Sequence, residues 1–139
     1  MAELARALAA LRVAGEELVP DAITTALGCE PSRSWAKGEA WISHGVTRTR
    51  RFGLWSLDAE ETTPADVDAQ VATIRGRLTS DEAVWRDLGA RYTVDLFCGW
   101  FMERGNEGVT LEPETMLALG RRGIPLDVDL YGGDESADG

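Results

Sequence analysis

The sequence has 139 residues, of which 44% are hydrophobic and 27% charged, and this size and composition predict one soluble globular domain that needs no disulfide or structural metal. Its 24 acidic and 14 basic residues give a net charge of -10, which repels phosphate backbones and anionic membrane surfaces and so argues against nucleic-acid and membrane partners. The sequence has no long apolar run and no signal-like start, and Cys29 and Cys98 are expected to be free thiols. We therefore predict a cytoplasmic protein.

Residues 6–13 fit two predictions. Their Ala and Leu content favours a helix by propensity, whereas small apolar side chains alternate with other residues as they do along a strand. The alternating residues are Ala7, Ala9, Leu11 and Val13. We adopt the strand, because the family resemblance described below supports it.

The segment that follows predicts a short helix and then a hairpin. Pro at the start and Gly at the end are typical helix boundaries, and they indicate a helix over residues 20–28. Residues 30–38 are rich in Pro, Ser and Gly and predict a loop. Residues 39–43 and 47–57 predict two strands joined at His44 and Gly45.

The second half of the chain predicts helices and strands in alternation. Thr63 and Pro64 resemble an N-cap followed by a first-turn proline. Apolar residues at spacings of two indicate strands, and those at spacings of three and four indicate helices. The predicted order is helix, helix, strand, helix, strand, at residues 63–78, 81–88, 91–100, 111–120 and 124–130. A helical crossover between the last two strands predicts that they are parallel neighbours.

These elements predict an α+β domain over residues 1–131, with a mixed β-sheet and helices mainly on one face. The order β-α-β-β-α-β-α-β suggests a ferredoxin-like relative. Residues 132–139 are acidic and rich in Gly, which predicts a disordered tail.

The first third of the chain carries a string of residues at set spacing: Gly15, Leu18, Pro20, Ile23, Thr24, Leu27, Gly28, Pro31, Ser32, Trp35, Lys37 and Gly38. This string resembles the signature of the bacterial family called domain of unknown function 4279. Residues 53–55 and 126–131 are similar to later landmarks of that family. The resemblance implies a compact α+β domain with no established activity, and it assigns no functional residue.

A cluster of cations and aromatic residues between positions 33 and 55 is the main candidate for a binding surface. Its members are Arg33, Trp35, Lys37, Trp41, Arg48, Arg50, Arg51, Phe52 and Trp55. Arg side chains stack on indole rings and pair with carboxylates or phosphates, so this cluster suits an acidic partner. We select Trp35, Lys37, Trp41, Arg48, Arg50, Arg51 and Trp55 as candidate binding residues. Alternatively, the tryptophans belong to the core and the arginines pair with nearby Glu residues.

Catalytic and metal motifs are weaker. His44 is the one histidine, and its position in a predicted turn favours a solvated residue over a catalytic one. Asp127 and Asp129 fall on one face of the last predicted strand, with Asp95 on its neighbour, an arrangement that suits a hard cation but is more often a solvated sheet face. We expect no metal, no cofactor and no phosphate-binding loop.

Two functional hypotheses follow. In the first, the domain is an interaction or accessory module, of the type of immunity proteins, whose basic and aromatic surface binds an acidic partner protein. In the second, a cleft near Trp35, Lys37 and Gly38 binds a small anion, or serves an enzyme for which the sequence names no general base. An unpaired strand edge also offers a way to form a homodimer.

Overall fold

The computed structural model describes residues 2–132. Its strands are β1 (Ala2–Glu3), β2 (Arg6–Gly15), β3 (Arg33–Trp35), β4 (Ala40–Ser43), β5 (Val46–Thr49), β6 (Gly53–Asp58), β7 (Thr93–Phe101), β8 (Glu107–Gly108) and β9 (Leu126–Tyr131). Its helices are α1 (Pro20–Leu27), α2 (Val67–Arg77), α3 (Glu82–Arg91) and α4 (Pro113–Arg121). The fold is therefore α+β, as predicted.

Five strands form the main sheet in the order β3-β6-β2-β7-β9. β7 and β9 are parallel, which confirms the predicted crossover, and the other neighbours are antiparallel. The pairs β1-β8 and β4-β5 form two small separate sheets. The sheet is mixed, and the ferredoxin-like relationship stays a prediction.

Strand β2 lies at the centre of the sheet and confirms the strand prediction for this segment. Its residues Ala7, Ala9, Leu11 and Val13 are at most 2% exposed, because alternate side chains of a strand point to the same face. The residues between them point to the opposite face. We call that second face of the five-stranded sheet the open face.

The four helices cover the face to which Leu11 points. α1 is tied to this face by a hydrogen bond from Trp55 Nε1 to Thr24 Oγ1 of 3.0 Å. Leu11, Ile74, Trp85 and Leu96 line one small apolar cavity where α2 and α3 meet the sheet. The core therefore lies between this face and the helical layer. Each fully buried aliphatic side chain in it contributes about 1.5–3 kcal/mol to folding.

The predicted loop at residues 30–38 contains the edge strand β3, and the predicted strand at residues 47–57 is broken into β5 and β6. Three residues of β3 pair with β6, which starts 20 positions after β3 begins, so local composition did not reveal the strand. The break at residues 50–52 arises because Arg50 bonds back to the start of the hairpin: its N–H donates to Glu39 O at 2.8 Å, and its carbonyl accepts from Gly38 N at 2.9 Å.

Helix α2 begins at Val67 and not at Thr63 as predicted. Residues 62–65 instead run beside the start of the chain, where Ala65 N donates to Leu4 O at 3.3 Å. Asp66 is the N-cap, and its carboxylate accepts a hydrogen bond from Ala69 N at 3.0 Å. An Asp side chain satisfies the free amides of a first helical turn as well as Thr does.

None of the helices in the described part of the chain combines the length and apolar content required to cross a bilayer. The predicted acidic tail at residues 132–139 lies outside the described residues, except for Gly132.

Candidate functional site

Residues 38–52 form a hairpin, which we call the arm. β4 and β5 pair in antiparallel register, with Trp41 directly opposite Arg48, so these two side chains lie on the same face of the arm. The turn is closed by His44 and Gly45, both with positive φ angles, of 50° and 77°. A two-residue turn with two positive φ angles matches the twist of a hairpin.

Arg50 joins the arm to the main sheet. Its guanidinium lies 3.6 Å from the centre of the Trp35 ring and 4.2 Å from the centre of the Trp41 ring. Each cation–π contact of this kind contributes about 0.5–1 kcal/mol at an exposed site and more when desolvated. Because Trp35 belongs to β3 and Trp41 to β4, the two contacts fix the position of the arm against the edge of the sheet.

The cations of the arm have no acidic partner within the described residues: no carboxylate lies within 4.0 Å of Arg48, Arg50 or Arg51. Glu39, the acid nearest in sequence, accepts a hydrogen bond from Ala36 N at 2.5 Å. The alternative in which these arginines pair with Glu residues of the chain is therefore not observed. Their charge is available to a ligand.

A cleft of about 470 Å³ lies along this surface. Its lining residues are Trp35, Trp41, Arg48, Thr49, Arg50, Arg51 and Phe52. Phe52 is 50% exposed, and Arg48 and Arg51 are also exposed. Planar guanidinium groups beside aromatic faces bind carboxylates through paired hydrogen bonds while the rings cover the ligand's apolar part.

Residues 4–133 match the family described as Domain of unknown function (DUF4279). The chain belongs to this family. No curated protein and no solved structure gives a significant match to it. The family match covers nearly the whole chain, including the arm, so the arm is contained in the DUF4279 domain.

Five of the seven candidate binding residues of this DUF4279 domain come together in the cleft: Trp35, Trp41, Arg48, Arg50 and Arg51. The other two lie elsewhere. Lys37 is outside the cleft lining, and its Nζ lies 3.7 Å from a carboxylate oxygen of Glu16. Trp55 is 0% exposed and belongs to the core, so the structure removes it from the binding surface.

A second group of charged residues lies on the open face, at the centre of the sheet. Arg12 donates two hydrogen bonds to the Asp95 carboxylate, at 2.9 Å and 2.6 Å, across the β2–β7 pair. Burial opposes ionisation of Asp95, but its hydrogen bonds with Arg12 hold its pKa below the ordinary value. The Arg12 guanidinium also lies 4.3 Å from the centre of the Phe97 ring. Alternation along residues 6–13 would have placed Arg12 on this face, but not beside Asp95.

Asp127 and Asp129 share the open face on β9, as the sequence predicted. Hydrogen bonding with Asp95 raises the pKa of Asp127, with a smaller contribution from desolvation. Within residues 2–132, however, no three His, Cys, Asp or Glu side chains form a group that could hold a metal ion.

Proposed function

We propose that this DUF4279 domain is a cytoplasmic protein-interaction module whose arm binds an acidic segment of a partner protein. The observation that carries the proposal is the unpaired state of Arg48, Arg50 and Arg51 within the described residues, in a chain with 24 acidic residues. A surface cation that lacks an internal partner gains a charge-assisted hydrogen bond when a carboxylate binds.

The aromatic residues support a peptide as the ligand. Arg50 is held between Trp35 and Trp41, so its side chain loses little further freedom on binding. Preorganised Arg and Trp side chains are typical of the residues that dominate binding energy at interfaces. Nucleic acid is the less favoured polyanion, because the net charge of -10 repels a long phosphate backbone.

The test is a titration of a fluorescently labelled Glu-rich peptide, followed by anisotropy. We expect the Arg48→Glu/Arg51→Glu variant to bind at least about tenfold more weakly than wild type, equivalent to about 1.4 kcal/mol. The matched control is Arg77→Glu/Arg86→Glu, which makes the same change in net charge on exposed residues of α2 and α3. It should bind nearly as wild type does, and added salt should weaken the wild-type complex.

Equal binding by wild type and both variants would contradict the proposal, and so would equal losses in the two variants. A second candidate, a small anionic ligand, is supported by the volume of the cleft, about 470 Å³, which lies within the range of small-molecule sites. Inorganic phosphate or citrate would then raise the melting temperature of wild type and not of the arm variant, while the peptide would not bind.

A further inference from the structure

The open face of the sheet carries exposed apolar side chains. Leu8 is 37% and Tyr131 47% exposed, and no helix within the described residues packs against them. Phe101 stacks on Tyr131 with ring centres 4.6 Å apart, and the Arg6 guanidinium lies 4.1 Å from the Phe101 ring centre. The stacked rings make this end of the open face partly apolar, as interface centres are.

Most charges on the open face are neutralised within the chain. Arg12 pairs with Asp95, and Arg33 lies 3.8 Å from Asp58. Arg6 pairs with Glu61. Two acids of β9, Asp127 and Asp129, are left without a cation within 4.0 Å among the described residues.

These two acids and the unpaired arm arginines lie at opposite edges of the same face. Trp35 pairs with Leu54, which is next to the core residue Trp55 and therefore points to the open face. Since Arg50 stacks on Trp35, the arm is attached at the open-face side of β3. β3 and β9 are the two outer strands of the sheet, so the positive and negative groups are separated by its full width.

A surface with opposite charges at its two edges is complementary to itself. When two copies face each other across a two-fold axis parallel to the strands, the arm of each copy meets the β9 edge of the other. We propose that the domain self-associates in this way, with Arg48 and Arg51 of each copy against Asp127 and Asp129 of its partner. This rests on the proposed function, because it names a second copy as the acidic partner.

Pairing of β9 edges is the less favourable way to form a dimer. In an antiparallel β9–β9 pair centred on Val128, which keeps both helical layers on the same side, Asp127 lies opposite Asp129 of the partner. Like charges directly opposite each other destabilise a strand pair, and acids on an edge strand are a common protection against it. The acids that oppose edge pairing are the same ones that favour the face-to-face arrangement.

The area of the open face indicates a weak dimer. Five strands about 4.8 Å apart and about six residues long give roughly 500 Å² for each copy, or roughly 1,000 Å² for both. Stable specific interfaces bury about 1,200–2,000 Å². We therefore expect a weak, reversible dimer that forms at high protein concentration.

Sedimentation velocity at increasing concentration tests the arrangement with two charge-reversed variants. Arg48→Glu/Arg51→Glu makes the arm acidic, and Asp127→Arg/Asp129→Arg makes the β9 edge basic. Each variant alone brings like charges together and should remain monomeric where wild type dimerises. In an equimolar mixture of the two variants, a mixed dimer sets the acidic arm of one against the basic β9 edge of the other, and the basic arm against the acidic β9 edge. Both contacts are then attractive, so the mixture should dimerise again. Arg77→Glu/Arg86→Glu is the matched control and should dimerise as wild type does.

Circular dichroism establishes that each variant folds. Should Asp127→Arg disturb the neighbouring Asp95, the single pair Arg51→Glu and Asp129→Arg repeats the exchange without it. A wild type that stays monomeric at all concentrations, or a mixture that fails to dimerise, overturns self-association. If the wild type is monomeric but still binds the acidic peptide, the proposed function stands without self-association. If the wild type dimerises but acidic peptides neither bind it nor compete with the dimer contact, the arm is not a general site for acidic segments.

Discussion

Arg12 and Asp95 form one ion pair, but their removal should have unequal effects on the free energy of unfolding. The Asp95 side chain is 8% exposed and that of Arg12 35% exposed. Arg12→Met leaves a buried carboxylate without its two hydrogen bonds, a change that usually costs about 3–5 kcal/mol. Because water reaches this site from the Arg12 side, we expect about 3 kcal/mol, at the lower end of that range.

Asp95→Asn should cost less, about 1 to 2 kcal/mol, because the freed guanidinium turns to solvent and a neutral amide replaces the buried charge. The double variant Arg12→Met/Asp95→Asn should then be close to Asp95→Asn alone. Urea unfolding at pH 7 measures all three changes. Equal losses for the two single variants would refute the assignment of Asp95 as the buried, dependent partner.

The pH dependence gives a second check on the same pair. Since the folded-state pKa of Asp95 is lowered, the pair stabilises wild type above the unfolded pKa of about 3.9, and this is lost only as the pH falls through the lower folded value. In Arg12→Met, burial, the largest influence on Asp95, is opposed only by the hydrogen bond with Asp127 and raises the pKa of Asp95. Its folded state then takes up a proton as the pH falls, so the deficit relative to wild type should shrink from pH 7 to pH 5. A constant deficit would contradict this.

Three further predictions concern the core and the arm. Trp55→Ala should lower the free energy of unfolding by about 3–5 kcal/mol, whereas Trp41→Ala should lower it by less than about 1 kcal/mol. Comparable losses in the two variants would contradict the core position of Trp55. Gly53→Ala places a Cβ 3.1 Å from Leu18 Cβ and should lower the free energy of unfolding by about 1–3 kcal/mol. In Gly76→Ala the new Cβ has nothing within 4 Å, so this change should stabilise α2 by up to about 1 kcal/mol. Urea unfolding measures both changes. Burial raises the pKa of Cys98 to about 11, so alkylation at pH 8, read by mass, should modify one of the two cysteines in the native protein and both in urea.

The sequence predicted those parts of the fold that depend on local periodicity. Alternation identified β7 and, together with the family resemblance, β2, and the spacing of apolar residues identified α2. It did not identify β3, because a three-residue edge strand has too few residues to show a period and depends on its pairing with β6. Boundaries such as the start of α2 depended on contacts with the start of the chain, which lie beyond any local window.

The candidate site was predicted in composition but not in arrangement. The cluster of arginines and tryptophans is visible in the sequence, and five of its selected residues line one cleft. The sequence did not show that Trp55 belongs to the core whereas Trp41 lies at the surface. β6 has apolar side chains on both faces, so alternation alone does not say which face meets the core. Asp95 was also missed as a buried group, because its partner Arg12 is 83 positions away.

The most direct test of the central claim uses the five tryptophans as internal reporters. Trp35 and Trp41 contact Arg50 at the arm, whereas Trp55 and Trp85 are 0% and 2% exposed in the core. In a ¹H–¹⁵N correlation spectrum titrated with a Glu-rich peptide, the indole N–H signals of Trp35 and Trp41 should shift and saturate, while those of Trp55 and Trp85 stay in place. A peptide that moves neither arm signal, or that moves the signal of Trp85 instead, would contradict the arm as the binding surface.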